Sequence, residues 1–551
     1  MNSVVYQIYP KSFKDSNGDG IGDIKGIQEK LPYLEKLGID VLWISPMYPS
    51  PGVDNGYDVS DYYGIDPMYG TMEDMKNLIR ECENHNIKII IDLVVNHTSD
   101  EHEWFIEAKT SKNSTYRDYY IWRKGVGNQP PNDLESNFGG SAWEYSEETE
   151  EYYLHFYSKK QPDLNWENPN MRNEIWKMMN FWIDLGIGGF RMDVIDLIGK
   201  QPDQKIKENG PKLHDYLQEM NAKTFGNSDL LTVGECWGAT PEIATLYSAP
   251  ERKELSMIFQ FEQINLDKIA GKQRWDLKPL YLPDLKRVFS KWQTEMEGKG
   301  WNSLFWSNHD LPRIVSRWGN AGKYRIESAK MLATLLHGMK GTPYIFQGEE
   351  LGMTNADFNS IADFKDIESR HMAKLRLEKG EPKEIVLAAL KKKARDNART
   401  PMQWDDSYAA GFTSGTPWLP VNKNYITINA KQSLDDKQSI FYYYQSLIKL
   451  RKTEETLVHG IYELLLPNDE NIYAYTRSLG TEKLLIICNF YETEQSFSYN
   501  ASAEIILSNY NKNGIINLKQ LVLAPYESFI LRLPNNCLLY TSPSPRDVEE
   551  S

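Results

Sequence analysis

The sequence predicts an α/β protein: a closed (β/α)8 TIM barrel with a small domain inserted after its third strand and an antiparallel β-domain at its C-terminal end. Short apolar segments alternate with amphipathic helical segments eight times. This alternation is typical of parallel strands that are buried on both faces, and eight repeats are the number that closes a barrel. From about residue 460 only short segments of alternating polarity follow, which indicates a separate β-domain.

The barrel strands are predicted where short apolar runs end at a turn signal. These runs are 4–9, 41–44, 87–95, 188–193, 230–235, 257–261, 304–306 and 344–346. Apolar residues repeating every three to four positions predict the helices. The helices are 27–37, 71–86, 171–185, 212–224, 280–297, 326–337 and 439–451. A charged segment, 356–398, separates the eighth strand from the last of these helices.

The alternation is interrupted between residues 98 and 167, where Tyr, Asn, Gly and charged residues are frequent and no helical periodicity is found. We therefore predict that residues 1–97 and 168–459 form the barrel, that 98–167 form the inserted domain and that 460–536 form the C-terminal domain. Strands of the last domain are expected at 462–465, 472–477, 483–489 and 520–533. Residues 537–551 resemble the translation of a sequencing adapter, so we interpret them as a non-native tail.

The composition argues against several classes of function. The formal net charge of −15 disfavours binding to nucleic acid or to an anionic membrane. The first residues lack the basic start and apolar core of a signal peptide. The sequence also contains no run of about 18 apolar residues, which is the length that a membrane-spanning helix requires. The four cysteines show neither metal-site nor disulfide spacing; they are Cys82, Cys236, Cys488 and Cys537. We expect a monomeric, cytoplasmic protein.

A polar loop follows the first predicted strand. Its oxygen-bearing side chains occupy relative positions 1, 3, 5 and 9, as in the first part of a calcium loop; they belong to Asp15, Asn17, Asp19 and Asp23. The twelfth position is Gly26 rather than the glutamate of an EF-hand. The loop is therefore either a site for Ca²⁺ or Mg²⁺ in a structural role, or a turn held by its own Asx hydrogen bonds. No organic cofactor is expected.

Polar residues concentrate at the carboxyl ends of the predicted strands, where a TIM barrel carries its active site. Arg191 and Asp193 alternate with apolar residues in the fourth strand, so both side chains point to the same face. Burying both charges is costly unless they act together. The other residues at this end are Tyr57 and Asp58 after the second strand, His97 after the third, Glu235 on the fifth, and His309 and Asp310 after the seventh.

Two carboxylates on adjacent strands, with a third nearby, are typical of retaining glycoside hydrolysis, in which the reacting carboxyl groups lie about 5–5.5 Å apart. Asp193 is the candidate nucleophile, because Arg191 favours its ionised form. Glu235 has no basic neighbour in the sequence and is the candidate acid and base. The remaining side chains are expected to contact the sugar. Asp310 should bind its hydroxyls and favour the transition state. His97 and His309 should form hydrogen bonds with the hydroxyls, and Tyr57 should stack on the sugar ring.

Four segments on four predicted strands resemble the signature regions of the α-amylase superfamily, glycoside hydrolase family 13. They are Asp92-Leu93-Val94-Val95-Asn96-His97, Gly189-Phe190-Arg191-Met192-Asp193, Val233-Gly234-Glu235 and Ser307-Asn308-His309-Asp310. The resemblance implies that Asp193 is the nucleophile, Glu235 the acid and base, and Asp310 the transition-state stabiliser. It implies that the glucosyl unit is bound by Asp58, His97, Arg191 and His309. It also implies a calcium site made by Asp15, Asn17, Asp19, the Ile21 carbonyl and Asp23.

Further segments resemble the oligo-1,6-glucosidase subfamily and the dextran glucosidases within it. These segments are Gln161-Pro162-Asp163-Leu164-Asn165 and Ala398-Arg399-Thr400-Pro401-Met402-Gln403-Trp404. Val194, directly after the nucleophile, resembles members that cut α-1,6 bonds. The resemblance implies that Arg399 pairs with Asp58 to close the pocket, so that glucose is released from the chain end. It also implies substrate contacts for Gln161 and, on the aglycone side, for Trp237 and Glu368.

Three alternatives remain. A sucrose isomerase would share the catalytic residues, but its Arg-Leu-Asp-Arg-Asp stretch is replaced here by Asn265-Leu266-Asp267-Lys268-Ile269. A trehalose-6-phosphate hydrolase shares the segment that begins at Gln161, and it would require a basic cluster for the phosphate. A non-enzymatic sugar-binding or transporter-associated domain would lack catalytic carboxylates and would carry a membrane anchor.

Overall fold

The computed structural model describes residues 2–535; the predicted non-native tail, with Cys537, lies outside the described residues. Within them, the largest element is a sheet of eight parallel strands. In chain order these are Val5–Ile8, Val41–Ile44, Lys88–Leu93, Gly189–Met192, Leu231–Glu235, Met257–Phe259, Ser303–Phe305 and Thr342–Phe346. The eighth strand pairs with the first, and a bridge between Ile258 and Asn302 joins the sixth to the seventh. The predicted TIM barrel is confirmed.

Helices connect the barrel strands and cover the sheet. Those before the sixth strand are Ile24–Glu29, Leu31–Leu37, Met72–Asn84, Pro169–Asp184, Leu213–Lys223 and Pro241–Ser248. Those after it include Leu282–Glu295, Ile314–Arg317, Arg325–His337 and Ile440–Thr453. The helix predicted at 27–37 is in fact two helices, because Pro32 lacks the N–H that would continue the first one. The eight-residue helix Pro241–Ser248 is too short to give a strong periodic signal.

The segment inserted after the third barrel strand contains a three-stranded antiparallel sheet. Its strands are Trp122–Arg123, Trp143–Ser146 and Glu151–Leu154. The expectation that this segment has no helix is wrong, because Glu103–Thr110 is helical. The charged segment after the eighth strand also folds, into the helices Ile367–Glu378 and Lys383–Lys393. Three shorter helices follow: Asp396–Arg399, Ala430–Asp435 and Glu455–His459.

The C-terminal part is antiparallel, as predicted. A six-stranded sheet contains Ile461–Leu465, Ile472–Leu479, Glu482–Asn489, Ser502–Ser508, Ile515–Asn517 and Ser528–Arg532. A two-stranded sheet contains Gln495–Phe497 and Leu521–Leu523. The strand predicted at 520–533 is therefore two strands in different sheets, separated where Pro525 interrupts pairing and Tyr526 takes a positive φ of 54°.

Buried polar contacts attach the C-terminal sheet to the barrel. The guanidinium of Arg477 donates to the carbonyl oxygen of Gly338 at 2.6 Å, and the Tyr475 hydroxyl donates to that of Leu335 at 2.6 Å. Both acceptors lie at the end of a barrel helix, where carbonyl groups need partners. In the part of the chain that the structure describes, no helix combines the length and the apolar character that crossing a bilayer requires.

Candidate active site

Three carboxylates surround one arginine at the barrel mouth. Arg191 is 1 % exposed; its Nη1 donates to Oδ1 of Asp92 at 2.6 Å and to Oδ1 of Asp193 at 2.9 Å. Its Nη2 donates to Oε2 of Glu235 at 2.6 Å. Parallel pairing places Asp92 directly beside Arg191, and strand alternation brings Asp193 to the same face. The shared guanidinium therefore holds Asp193 and Glu235 close together.

This cluster contains three carboxyl groups and one positive charge. The pKa values of two of these carboxyl groups are raised. Burial, and then the neighbouring Glu235, raise the pKa of Asp193 well above its usual value, although Arg191 opposes the shift. Burial also raises the pKa of Asp92 to about 6. Arg191 favours the ionised form of Asp193, as expected, but burial and Glu235 outweigh its effect in the free protein.

Glu235 is oriented by a donor on each oxygen. Its Oε2 accepts the backbone N–H of Val194 at 3.1 Å, and its Oε1 accepts the indole N–H of Trp237 at 2.9 Å. Val194 has a left-handed backbone (φ 36°), which is strained for a β-branched residue. Trp237 is 39 % exposed and stacks on Phe261 with ring centroids 3.8 Å apart. The glutamate is thus fixed beside an aromatic surface at the open side of the site.

Asp310 lies opposite, between two arginines. Its Oδ1 accepts from Nη2 of Arg399 at 2.9 Å and from Nη1 of Arg395 at 3.3 Å. Burial alone would raise the pKa of Asp310, but His309, Arg395 and Arg399 together hold it well below the usual range. Burial lowers the pKa of His309 to about 3, so its ring is neutral at physiological pH. The ring of Tyr57 stacks on His309 at a centroid distance of 5.1 Å.

The ion pair at the closed end of the pocket is not the expected one between Asp58 and Arg399. The Asp58 carboxylate points into its own loop, where it accepts the backbone N–H groups of Val53 at 2.8 Å and Asp54 at 3.0 Å. Asp54 instead pairs with Arg395, whose Nη2 lies 2.9 Å from its Oδ1. The predicted pairing of Asp58 with Arg399 is therefore wrong. The pair is formed instead by Asp54 and Arg395, each of which lies four residues before the predicted partner in the chain, and Arg399 lies behind this pair.

Further residues hold this closed end together, some of them from behind the cavity wall. Gln161 is completely buried, and its Nε2 donates to Oδ2 of Asp54 at 3.2 Å and to the carbonyl oxygen of Tyr57 at 3.0 Å. His97 contacts the same carbonyl through Nε2 at 3.0 Å. Asp366 lies between the two arginines and accepts from Nη2 of Arg395 at 2.5 Å. Gln161 thus orients the wall rather than facing the cavity.

One cavity of about 350 Å³ joins these groups. Nine of the predicted residues line it: Tyr57, His97, Asp193, Val194, Glu235, Trp237, His309, Asp310 and Glu368. Four others lie behind its wall: Asp58, Gln161, Arg191 and Arg399. Several other lining residues were not predicted from the sequence, namely Asp54, Asn137, Phe138, Tyr157, Asp196, Glu208, Arg274, Lys393 and Arg395. The inserted segment supplies three of them, which explains why strand ends alone did not reveal them.

Two further basic side chains, Arg274 and Lys393, line the cavity. Arg274 pairs with Glu368, whose other oxygen lies 3.6 Å from Nε of Arg395. Lys393 is 3 % exposed. Burial, with Arg317 and Arg274 nearby, lowers the pKa of Lys393 well below its usual value. These groups are therefore a paired arginine and a lysine that readily loses its charge, rather than a free basic cluster.

The predicted metal loop is held by hydrogen bonds within the protein. The Asp15 carboxylate accepts the N–H groups of Asn17, Gly18 and Gly20 and the hydroxyl of Thr413, which uses its full acceptor capacity. The side-chain oxygens of Asn17, Asp19 and Asp23 also accept N–H groups, but each retains a lone pair. Within residues 2–535, no group of three or more acidic, His or Cys side chains is arranged to hold a metal. Metal binding here stays a prediction.

Comparison with known proteins adds independent information. Residues 7–460 match the alpha amylase catalytic domain, and residues 472–530 match the alpha-amylase SusG C-terminal domain. A glucan 1,6-alpha-glucosidase of Streptococcus pneumoniae is 56 % identical, over 97 % of this chain and 98 % of the relative. An oligo-1,6-glucosidase of Parageobacillus thermoglucosidasius is 54 % identical, over 97 % and 99 %. The crystal structure of a Bacillus licheniformis trehalose-6-phosphate hydrolase superposes with a TM-score of 0.92 at 48 % identity, covering 97 % of this chain and 99 % of that one.

Proposed function

Because the chain belongs to the α-amylase family of glycoside hydrolases, we propose that it is a retaining exo-α-glucosidase that releases glucose from the non-reducing ends of α-1,6-linked isomaltooligosaccharides. The observation that carries the proposal is the single guanidinium of Arg191 that contacts both Asp193 and Glu235. This contact supports the short carboxyl separation that double displacement requires, about 5–5.5 Å.

The first step uses Asp193 as the nucleophile and Glu235 as the acid. A carboxylate oxygen of Asp193 forms a bond to the anomeric carbon while the glycosidic C–O bond breaks and the leaving oxygen takes the proton of Glu235. In the second step the Glu235 carboxylate removes a proton from water, whose oxygen attacks the anomeric carbon and releases Asp193.

Asp310, His309 and Tyr57 support the transition state. The anionic Asp310 faces the site where positive charge develops on the sugar ring, so its attraction is stronger in the transition state than in the ground state. Arg395 and Arg399 keep this carboxylate ionised and fixed. A neutral His309 remains available as a hydrogen-bond partner for a sugar hydroxyl.

Exo action is supported by the closed end of the cavity. The ion pair between Asp54 and Arg395 lies in the cavity wall, and a wall closed at this place would admit a chain only by its terminal glucosyl unit. The α-1,6 preference is supported by Val194, which lines the cavity beside Asp193, and by the names of the relatives that are 54–56 % identical.

A second candidate function is hydrolysis of trehalose 6-phosphate. It is favoured by the resemblance to the trehalose-6-phosphate hydrolase structure and by the presence of Arg274 and Lys393 in the cavity. It is disfavoured because Arg274 is already paired with Glu368 and because the burial of Lys393 favours its neutral form. A phosphate site normally requires unpaired, charged donors.

A substrate panel tests both candidates with one purified protein. We expect kcat/KM for isomaltose and isomaltotriose to exceed that for maltose, sucrose, trehalose and trehalose 6-phosphate. Proton NMR of the first product should show α-glucose, because double displacement retains the configuration. A higher kcat/KM for trehalose 6-phosphate than for isomaltose would replace the first candidate by the second, and an initial β-glucose product would refute the retaining mechanism.

The other properties that we propose concern the setting of the enzyme. Ca²⁺ would be held by Asp15, Asn17, Asp19, the Ile21 carbonyl and Asp23, and it would supply structural rigidity only. A monomeric cytoplasmic enzyme without nucleic-acid or membrane partners is supported by the net charge of −15. It is also supported by three buried, unpaired cysteine thiols, those of Cys82, Cys236 and Cys488, which suit a reducing compartment.

A further inference from the structure

An acidic pair in the cavity has no part in the proposed chemistry. Asp196 is 1 % exposed, and its Oδ2 lies 3.4 Å from the backbone nitrogen of Gly238. The carboxylate of Glu208 covers the same glycine, since an ideal Cβ at Gly238 would lie 2.7 Å from the carboxyl carbon of Glu208. Both carboxyl groups line the cavity. Burial, and then Glu208, raise the pKa of Asp196 to about 8.

The position of the pair relates it to the leaving group. Glu235 delivers its proton to the glycosidic oxygen, so the aglycone must lie on the Glu235 side of the cavity. Trp237 and Gly238 are two and three residues after Glu235 in the chain, and Asp196 and Glu208 lie against Gly238. The pair is therefore on the Glu235 side of the cavity, where the aglycone lies.

Basic groups near the pair donate their hydrogen bonds to other partners. Lys207 directs its Nζ to Oδ1 of Asn137 at 2.8 Å and to the carbonyl oxygen of Glu135 at 3.0 Å. Across the cavity, Arg274 is paired with Glu368. The other charged residues that line the cavity are predominantly acidic. The basic ones are Lys393 and Arg395, and the acidic ones are Asp54, Asp193, Glu235, Asp310 and Glu368. An anionic aglycone would therefore approach an excess of negatively charged groups.

We infer that Asp196 and Glu208 are specificity-determining residues that select an uncharged sugar as the aglycone and reject phosphorylated or carboxylated ones. Like charges brought together in a partly desolvated site are strongly unfavourable, and proteins discriminate between ligands by such repulsion. The affinity for a glucosyl aglycone is not reduced in this environment, because its hydroxyls can donate hydrogen bonds to both carboxyl groups. This inference rests on the proposed glucosidase activity but not on its linkage preference.

The test compares two aryl α-glucosides that differ only in charge: 4-carbamoylphenyl and 4-carboxyphenyl α-glucoside. We expect kcat/KM for the neutral substrate to exceed that for the anionic one on the order of ten-fold at low ionic strength, and the ratio to fall in 0.5 M NaCl. The double variant Asp196→Asn/Glu208→Gln should lower the ratio to about two-fold and should raise kcat/KM for trehalose 6-phosphate. Glu494→Gln, which removes an exposed carboxylate of the C-terminal part, should leave the ratio unchanged.

Glu208→Lys provides a second measurement if the double variant does not fold, because Glu208 is exposed and its replacement strains no core. It should reduce the ratio further than Glu208→Gln does. A wild-type ratio near one, or an unchanged ratio in a folded variant, would overturn the inference. Failure of both glucosides to react would instead refute the proposed activity, so the two failures are distinguishable.

Discussion

The Asp54 carboxylate and the Arg395 guanidinium meet at 2.9 Å and close one end of the active-site cavity. Arg395 also contacts Asp310 at 3.3 Å, so the residue that closes the pocket also touches the proposed transition-state stabiliser. Gln161 holds the other oxygen of Asp54. The closed end and the catalytic carboxylates therefore belong to one hydrogen-bonded network, in which a change at one member alters the orientation of the next.

Replacement of Asp54 should affect catalysis far more than replacement of Asp58. Asp54→Asn removes a buried charge that Arg395 requires, so kcat/KM for isomaltose should fall roughly 100-fold or more. Asp58→Asn leaves the cavity wall in place and removes only one acceptor for a backbone N–H, so its main effect should be a lower Tm. Steady-state kinetics and thermal unfolding of both variants decide the matter. A larger loss of kcat/KM in Asp58→Asn would restore the pairing that the sequence suggested.

The two proposed catalytic carboxylates should be indispensable. Asp193→Ala and Glu235→Gln should each lower kcat on isomaltose by several orders of magnitude, because each removes a group that takes part in bond making. Circular dichroism should show an intact fold, and Glu242→Gln, on an exposed helix end, serves as a control for loss of an acidic side chain. Near-normal turnover by either folded variant would refute the assigned roles.

Replacement of the ionisable Asp193 carboxyl by an amide should also stabilise the protein at neutral pH. The raised pKa of Asp193 means that the folded protein retains a proton that the unfolded chain releases above pH about 4. This contribution to stability is complete below that pH and is lost as the pH rises through the folded-state pKa. Asp193→Asn cannot ionise and avoids the loss, so its Tm should exceed that of the wild type by about 1–3 °C at pH 7.

The same difference should shrink at lower pH, which separates the electrostatic cause from a packing effect. Calorimetry of the wild type and of Asp193→Asn at pH 5, 6 and 7 provides the comparison. A Tm difference that is negative at pH 7, or constant over this range, would contradict the shift. Arg191 still keeps Asp92 and Glu235 as partners in the variant, so an unpaired buried cation does not arise.

The strand ends could be predicted from the sequence because a parallel barrel gives a simple rule. Arg191 and Asp193 stand out as charges at alternate positions in an apolar run, and Glu235 ends another such run. Since all carboxyl ends meet at one mouth, their proximity follows without knowledge of the loops. The geometry of the Arg191 contacts agrees with this expectation.

Loop residues could not be resolved in the same way. Asp54 and Asp58 lie four residues apart in a loop whose path depends on the left-handed conformations of Asn55 and Gly56, and neither residue shows a periodic signal. Arg395 and Arg399 pose the same problem at the two sides of a four-residue helix. Which member of each pair enters the cavity depends on tertiary packing, which local sequence does not encode.

The loop from Asp15 to Asp23 should bind Ca²⁺ and gain stability from it. Asn17, Asp19 and Asp23 retain acceptor capacity, so an ion can be added with the loss of few existing hydrogen bonds. Tm should fall when the purified protein is treated with EDTA and should recover with Ca²⁺, because a ligand bound only by the folded state stabilises it. Mass spectrometry should find about one Ca²⁺ per chain in wild type and less in Asp19→Ala. An equal Tm with and without EDTA would favour the alternative of a turn held by its own hydrogen bonds.

Val194 should control the linkage that the enzyme prefers. It lies in the cavity wall directly after Asp193, and its side chain packs into the apolar core of the inserted segment with residues such as Phe156 and Leu197. Val194→Ala would open space beside the glycosidic oxygen and relieve part of the strain of its left-handed backbone. We expect the ratio of kcat/KM for isomaltose to that for maltose to fall several-fold, mainly through a gain on maltose.

Val194→Ile, which adds bulk at the same place, should not lower this ratio. If both variants keep the wild-type ratio while remaining folded, linkage preference must arise elsewhere, with Trp237 and Glu368 on the aglycone side as the next residues to test.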